Sequence, residues 1–320
     1  MKSNKKIFTL ALAAMMGIST LTACSGTDVA TKEVPTEINM TYVKAPLNVP
    51  SIIEKENKSF DNEFDKDGIA INWNEITSGP NQTQALAADD LQFLHALGGT
   101  SAILAASNGV DLKIINIYSR APKAFMIITK DDAIKGPKDL KDKKVGGPKG
   151  TVLHQLLLGA LDQNELKQED IEFINMGIPA AVAALNSGNI DAALLAGPAA
   201  LKTISAGGKI VADGEGLVEG TIVTATSGKF LKEHPEMVAR FKKVHADTVQ
   251  YINDNFEEAM EITSKEVGLD VKSTKKMYSW YDFDMTIRDE DVAELKKTQE
   301  FLIKNELQQN EIKIEDLVQR

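Results

Sequence analysis

The sequence contains few of the residues on which catalysis, disulfide bonding and metal binding most often depend. Its 320 residues include one cysteine, Cys24, and four histidines. A single cysteine cannot form an intrachain disulfide or a cysteine-rich zinc site. The histidines lie far apart in sequence, without a metal-binding spacing such as HExxH: His95, His154, His234 and His245. We therefore expect no metal, no cofactor and no enzymatic activity.

The sequence around three of these histidines predicts different environments. His234 precedes Pro235 and is expected to be a solvated helix cap, and His245 lies within a predicted helix and is expected at the surface. His154 follows Gly150 by about one helical turn. It is therefore close enough to the end of a strand either to contact a ligand or to pack in the core.

Positive charge is also scarce. The sequence has 36 lysines and arginines, three of them at positions 2, 5 and 6, and 46 acidic residues. The net charge without those three lysines is therefore near −13. Nucleic acids and anionic membrane surfaces attract clustered lysine and arginine. The composition therefore argues against a nucleic-acid partner and against electrostatic binding to a membrane.

Only the N-terminus carries a long apolar run. Three lysines precede the apolar residues 7–18, and the sequence LTAC follows at 21–24. The run is shorter than the ~20 apolar residues that span a bilayer, and this order is typical of a bacterial lipoprotein signal. We expect residues 1–23 to be a signal peptide, Cys24 to be lipid-modified and residues 24–36 to form a flexible tether.

The predicted location follows from this signal. The protein would lie on the extracytoplasmic face of the cell membrane and contact the membrane through its lipid anchor only. The alternative is an ordinary secretory signal in which Cys24 is incidental.

From residue 38 onward, strand-like and helix-like segments alternate. Residues 38–43 and 69–75 have strand patterns, whereas residues 49–57 and 100–108 have helix patterns. Such alternation predicts an α/β protein with parallel sheets. The roughly 300 residues that follow the signal exceed the usual size of a single core, which favours two lobes.

Four predicted strand-to-helix junctions carry glycine, small or hydroxyl residues. They are residues 78–83, 98–101, 148–151 and 177–180. The N–H groups at the start of a helix, together with its dipole, favour negative charge. Each junction alone could be a simple helix cap, but four of them favour a binding cleft. None has the GK[ST] ending of a phosphate-binding P-loop.

Residues 137–151, PKDLKDKKVGGPKGT, resemble the DLKGKKVGVPKGT segment of type II periplasmic substrate-binding proteins, with Asp142 in place of the usual glycine. Other segments resemble the nitrate, sulfonate, taurine and thiamine-precursor branch of these ABC-transporter receptors. These segments are residues 79–80 with 84–86, 102–109, 184–193 and 278–287. The resemblance extends over roughly residues 38 to 290.

The resemblance implies a type II periplasmic binding protein fold, in which two α/β lobes are joined by a two-strand hinge and close over a ligand. Lobe one would comprise residues 37–121 and 224–320, and lobe two residues 122–223. The hinge would lie at residues 121–122 and 223–224.

The predicted ligand-binding residues lie in the cleft between these lobes. They are Lys44, Ala45, Pro46, Ser78, Gly79, Pro80, Gly99, Thr100, Ser101, Arg120, Gly150, Thr151, His154, Ala180, Gly197 and Trp280. Arg120 would either grip an oxyanion or form a salt bridge between the lobes. Trp280 would either form an aromatic wall for the ligand or pack in the core.

The function implied by the resemblance is that of a solute-binding lipoprotein of an ABC importer. Such a protein, expected to be a monomer, captures a small anionic or polar solute and delivers it to the permease subunit in the membrane. Two alternatives stay open. One is an enzyme of the same fold, similar to a thiamine-pyrimidine synthase, and the other is a binding lipoprotein that signals to a partner.

Overall fold

The computed structural model describes residues 34–320. The predicted signal peptide, Cys24 and residues 24–33 of the predicted tether lie outside the described residues. None of the helices in the described part combines the length and hydrophobicity that crossing a membrane requires.

Ten strands in residues 34–320 form two five-stranded sheets. They are β1 (Glu37–Thr41), β2 (Ala70–Asn74), β3 (Phe93–Gly98), β4 (Lys113–Arg120), β5 (Phe125–Thr129), β6 (Lys144–Gly147), β7 (Glu172–Asn175), β8 (Ala192–Ala196), β9 (Lys209–Asp213) and β10 (Thr221–Thr226). Sheet A has the order β2-β1-β3-β10-β4, and sheet B has the order β7-β6-β8-β5-β9.

The helices of the described part connect and cover these strands. They are α1 (Val49–Glu56), α2 (Ser59–Phe64), α3 (Gly79–Ala87), α4 (Gly99–Ser107), α5 (Val152–Asp162), α6 (Ile178–Ser187), α7 (Gly197–Ser205), α8 (Gly228–Glu233), α9 (Pro235–Asp254), α10 (Phe256–Val267), α11 (Val271–Tyr278), α12 (Asp289–Lys304) and α13 (Ile314–Leu317). Helices α3 to α7 each start at the carboxyl end of a strand or of the loop that follows it.

Both sheets are mixed, so the prediction of parallel sheets is wrong for one strand in each. In sheet A, β10 runs antiparallel to β3 and β4. In sheet B, β5 runs antiparallel to β8 and β9. These two strands follow directly after the chain has crossed from the other sheet. Two successive strands of one sheet run parallel when a crossover connection joins them. The chain instead enters β5 and β10 from the other sheet.

The chain crosses between the sheets twice. The first crossing lies between Arg120 and Phe125, and the second between Asp213 and Thr221. The predicted hinge residues 223–224 therefore lie inside β10, which pairs on both sides within sheet A. The two crossings touch at Gly220, where a Cβ atom would lie 2.7 Å from the Ala121 backbone.

Buried apolar side chains hold helices against both sheets. Beside sheet A, the Phe93 ring stacks on Phe241 of α9 with centroids 3.9 Å apart. Beside sheet B, the leucine-rich α5 buries Leu156 and Leu157 completely. Burial of such large side chains is worth about 1.5–3 kcal/mol each. This packing fixes the helix N-termini near the ends of the strands.

Candidate functional site

A cavity of about 760 Å³ is lined by residues from both sheets and from the helices around them. Five helices begin at this cavity, because the N-cap residues of α3 to α7 all line it: Ser78, Gly98, Thr151, Gly177 and Ala196. None of these five residues caps its own helix through a side-chain hydrogen bond.

The convergence of five helix N-termini favours a negatively charged group in the cavity. The first N–H groups of a helix have no acceptor within the helix. Each helix dipole also places roughly half a positive charge at its N-terminus. An anionic group bound there would accept hydrogen bonds from backbone N–H groups and would need no arginine.

Much of the remaining wall is apolar. The larger apolar side chains that line the cavity are Val43, Phe125, Val152, Leu153, Ile178, Val182, Ile222 and Val267. A pocket of this size and lining is typical of small-molecule sites, in which a few polar groups orient a largely apolar ligand. The cavity therefore suits a solute with an anionic head and an apolar body.

Three charged side chains line the cavity, and all three have partners. Lys44 Nζ lies 2.9 Å from Glu266 Oε1, and the Tyr42 hydroxyl donates to the same oxygen at 3.1 Å. The hydrogen bond from Lys44 lowers the pKa of Glu266, so this carboxylate stays ionised. Lys202 Nζ donates to the backbone carbonyl of Val267 at 2.9 Å.

The two sides of the cavity are in direct contact. Ser101 Oγ donates to the carbonyl of Gly150 at 2.8 Å, which links α4 to the loop before α5. Gly197, with φ +53°, lies so close to Pro46 that a Cβ atom would stand 1.5 Å from its carbonyl oxygen. The two walls of the cavity therefore touch at these two points.

Seven of the predicted site residues line the cavity: Lys44, Ala45, Pro46, Ser78, Gly79, Ser101 and Thr151. Six others are near in sequence to lining residues but are not part of the lining: Pro80, Gly99, Thr100, Gly150, Ala180 and Gly197. Arg120, His154 and Trp280 do not line the cavity either.

Arg120 is a structural residue, contrary to both alternatives considered for it. Its guanidinium donates from Nε and Nη2 to the two carboxylate oxygens of Asp291, each at 2.6 Å. Nη1 donates to Asp282 at 3.2 Å. Both partners lie in the same predicted lobe as Arg120, and Arg120 is not part of the cavity lining.

His154 and Trp280 also pack rather than line the cavity. The His154 ring is fully buried, lies 4.7 Å from the Phe173 ring, and has Nε2 3.0 Å from Gln168 Oε1. Burial lowers the pKa of His154 to about 4. Trp280 is half-buried and packs against the cores of both sheets.

Several lining residues were missed in the sequence. Gly197 was predicted, but its neighbours Ala196 and Pro198, which line the cavity, were not, although this junction has the same small-residue pattern as the other four. Lys202 and Glu266 carry no such signal, because they lie in the middle and at the end of ordinary amphipathic helices.

A second polar cluster lies beneath the wall of the cavity in sheet A. Glu54 of α1 binds His95 Nε2 through one carboxylate oxygen and His245 Nδ1 through the other, each at 2.6 Å. All three residues are fully buried, so the prediction that His245 lies at the surface is wrong. The error arises because charged residues surround His245 in α9, whereas its own face of the helix packs inward.

These three side chains offer atoms within 4.8 Å of one another that could hold a metal ion. However, each facing imidazole nitrogen lies at hydrogen-bond distance from a Glu54 oxygen. We therefore interpret the cluster as a buried hydrogen-bonded ionic group.

Comparisons with known proteins agree with this geometry. A Bacillus subtilis (strain 168) protein described as aliphatic sulfonates-binding is 31% identical over 273 residues, which cover 84% of this chain and 82% of that protein. The taurine-binding periplasmic protein of Escherichia coli (strain K12) is 30% identical over 195 residues, covering 59% of this chain and 60% of that protein.

A solved structure shows the fold. The alkanesulfonate-binding protein SsuA from Xanthomonas axonopodis pv. citri, bound to MOPS, superimposes with a TM-score of 0.81 at 20% identity, covering 89% of this chain and 99% of that one. This likeness confirms the predicted periplasmic binding protein fold. The model of the NMT1/THI5-like family matches residues 62–259. The chain therefore belongs to the NMT1/THI5-like family.

Proposed function

We propose that this protein is the solute-binding lipoprotein of an ABC importer, which captures a small organic anion in the cavity between sheets A and B. The observation that carries this proposal is the convergence of five helix N-termini on one largely apolar cavity. The relatives described as binding aliphatic sulfonates and taurine support a sulfonate as the anionic head.

The binding mode follows from the lining. The sulfonate oxygens would accept hydrogen bonds from N–H groups at the starts of the helices, where dipoles balance the negative charge. The aliphatic or aromatic part of the solute would pack on the apolar wall that includes Phe125, Ile178 and Ile222. Water leaving this wall would contribute about 25 cal/mol per Å² of apolar surface buried.

The chemistry of the lining favours binding over catalysis. The carboxylate that lines the cavity, Glu266, is held ionised by Lys44 and hydrogen-bonded by Tyr42. A general base works best when its pKa lies near the working pH, and a carboxylate with a lowered pKa does not meet that condition. His154, which was considered as a ligand contact, is buried outside the lining.

Release and delivery would require the walls to separate. We propose that lobe one comprises residues 37–121 and the chain from β10 to the C-terminus, and that lobe two lies between the two crossings. The contacts of Ser101 with Gly150 and of Gly197 with Pro46 would then break on opening. The released solute would pass to the permease, while a lipid on Cys24 keeps the monomeric receptor on the extracytoplasmic face of the membrane.

A binding screen with matched solutes tests the proposal. Octane-1-sulfonate, taurine, nitrate, bicarbonate and a hydroxymethylpyrimidine are compared by thermal shift and native mass spectrometry. A ligand at a hundredfold excess over its dissociation constant stabilises the folded state by about 2.7 kcal/mol. We expect stabilisation by a sulfonate and none by octan-1-ol, which has the same chain without the charge. Equal stabilisation by the alcohol, or by the pyrimidine alone, would overturn the proposal.

A further inference from the structure

The cluster of Glu54, His95 and His245 is not used by the proposed binding mode, yet it joins three elements, one of which, β3, lines the cavity. Glu54 lies on α1, His95 on β3 and His245 on α9. The carboxylate of Glu54 accepts one hydrogen bond from each imidazole, both at 2.6 Å. The aromatic rings of Phe60, Tyr118 and Phe241 surround the cluster, and water does not reach it.

The hydrogen-bond geometry offers an additional proton no strong acceptor. His95 uses Nε2 for Glu54, and its Nδ1 lies 3.4 Å from Thr224 Oγ1, whose hydroxyl proton can point toward it. His245 uses Nδ1 for Glu54, and its buried Nε2 has no hydrogen-bond partner among residues 34–320. Burial opposes a proton on His95 Nδ1 more strongly than the Glu54 carboxylate favours it, unless the ring moves to water.

Two segments adjoining the cluster form part of the cavity wall. Ala96, directly after His95, lines the cavity and has φ +75°, a backbone conformation unusual for alanine. The hydroxyl of Thr41 accepts from the N–H of His95 at 2.7 Å and donates to the carbonyl of His95 at 2.9 Å. At this point, the pairing of β3 with β10 has a bulge. On the other side, α1 follows the lining residues 44–46, a loop that Asn48 holds through the carbonyl of Val43 at 2.7 Å.

We propose that Glu54, His95 and His245 form an acid-sensitive latch: a proton added to this buried cluster releases α1 from β3 and α9 and loosens the cavity wall at residues 43–48 and at Ala96. The proposal goes beyond the proposed function, and it does not depend on which solute binds.

The titration properties of the groups agree with this latch. Burial lowers the pKa of His95, and the neighbouring Glu54 only partly opposes this effect. Burial would raise the pKa of Glu54, but the two imidazoles outweigh it and lower the pKa to about 2. Among residues 34–320, the remaining titratable group in contact with the cluster is Tyr118 of β4, which burial keeps neutral by raising its pKa. The neighbours from β1, α2 and β10, Thr41, Phe60 and Thr224, carry no charge.

The sign of the pH effect follows. An unfolded histidine takes up a proton near pH 6.5, whereas folded His95 resists it. The opened state therefore binds more protons, and the latch weakens as pH falls below about 6.5. Glu54 adds to the loss only at lower pH, as pH falls below the ordinary carboxyl range toward about 2. Between pH 7 and pH 5, the effect belongs to His95.

Hydrogen exchange measured on the ligand-free protein tests the latch. After correction for intrinsic rates, we expect amides of residues 43–56 and 93–98 to exchange up to about 30-fold faster at pH 5 than at pH 7, the factor for a histidine with an ordinary pKa of about 6.5. Helix α6, which contains no titratable side chain, serves as the internal reference and should change little. Unchanged protection in residues 43–56 and 93–98, or equal acceleration in α6, would overturn the latch.

Substitutions test whether His95 is the residue that takes up the proton. His95→Gln should remove the pH dependence of residues 43–56, whereas His234→Gln, outside the cluster, should retain it. Retention of the full pH dependence in His95→Gln would overturn the assignment to His95. If His95→Gln does not fold, the wild-type profile with α6 as reference still decides between the two outcomes.

Discussion

Gly197 shows how closely the two walls of the cavity approach each other. Its backbone has φ +53°, and the carbonyl of Pro46 occupies the space that a Cβ atom would take. Glycine is required here for two reasons, the left-handed conformation and the contact between the walls. Gly188, the residue after α6, has φ +74°, but a Cβ atom added there would meet no other atom within 4 Å.

These two glycines give a matched pair of variants. Gly188→Ala should cost about 1–2 kcal/mol of unfolding free energy, because only the left-handed conformation disfavours alanine. Gly197→Ala should cost at least about 3 kcal/mol, since the Pro46 backbone must also move. Urea unfolding measures both. Equal losses in the two variants would mean that the contact with Pro46 does not contribute to stability.

Because His154 is buried, we expect the folded protein to lose stability in acid. Its pKa is lowered to about 4 by burial, whereas an unfolded histidine titrates near 6.5. The unfolded state therefore binds more protons between these values, and up to about 3 kcal/mol of stability is lost as pH falls from 6.5 to 4. His154→Gln should show a smaller loss over the same range in urea unfolding, and parallel pH profiles would contradict this assignment.

Sequence patterns predicted the residues of the cavity where the signal was local. Ser78, Gly79 and Thr151 stand at helix starts that small and hydroxyl residues indicate, and the structure places all three in the lining. Arg120 could not be assigned in this way, because its partners Asp282 and Asp291 lie more than 160 residues away in sequence. Its position at the end of a strand gave no information about them.

At the scale of the elements, a buried polar chain connects three helices. Thr100 Oγ1 of α4 donates to Gln155 Oε1 of α5 at 2.6 Å, and Gln155 Nε2 donates to Thr298 Oγ1 of α12 at 3.2 Å. All three residues are buried. These hydrogen bonds join α4, which follows a strand of sheet A, to α5, which follows a strand of sheet B, next to the cavity.

Thr100→Val tests this connection. The substitution keeps the shape of the side chain but leaves Gln155 Oε1 buried without a partner, which should cost about 1–3 kcal/mol. Thr248→Val is the control, because the Thr248 hydroxyl donates to the Val244 carbonyl of its own helix α9, and the loss of this bond should cost less than about 1 kcal/mol. Urea unfolding of both variants gives the comparison. If the two losses are equal, the connection adds no stability.

The elements themselves were largely predictable. The alternating pattern at residues 69–75 and the helix pattern at 49–57 correspond to β2 and α1. Strand direction was not predictable, because the apolar sequences of β5 (FMIIT) and β10 (TIVTAT) do not indicate which way the strands run. Their antiparallel orientation depends on where the chain crosses between the sheets, which is a property of the whole topology.

At the scale of the whole molecule, the predicted anchor and the folded part are separate in sequence. Residues 35–320 form a compact unit, and Cys24 lies before it. Cys24→Ala should therefore move the protein from the membrane fraction to the soluble fraction while the urea midpoint stays the same. Ser25→Ala serves as the control and should remain in the membrane fraction. If Cys24→Ala is retained on the membrane, the anchor lies elsewhere.

The central claim, an anion bound in the cavity between the sheets, is tested most directly by filling that cavity. Ala199 of α7 lines it, whereas Ala180 of α6 is exposed outside it. Calorimetric titration with octane-1-sulfonate should give the same dissociation constant for the wild type and Ala180→Phe. Ala199→Phe should weaken binding at least tenfold, about 1.4 kcal/mol, with its fold intact by circular dichroism. Equal binding by both variants, or no binding by the wild type, would contradict the account.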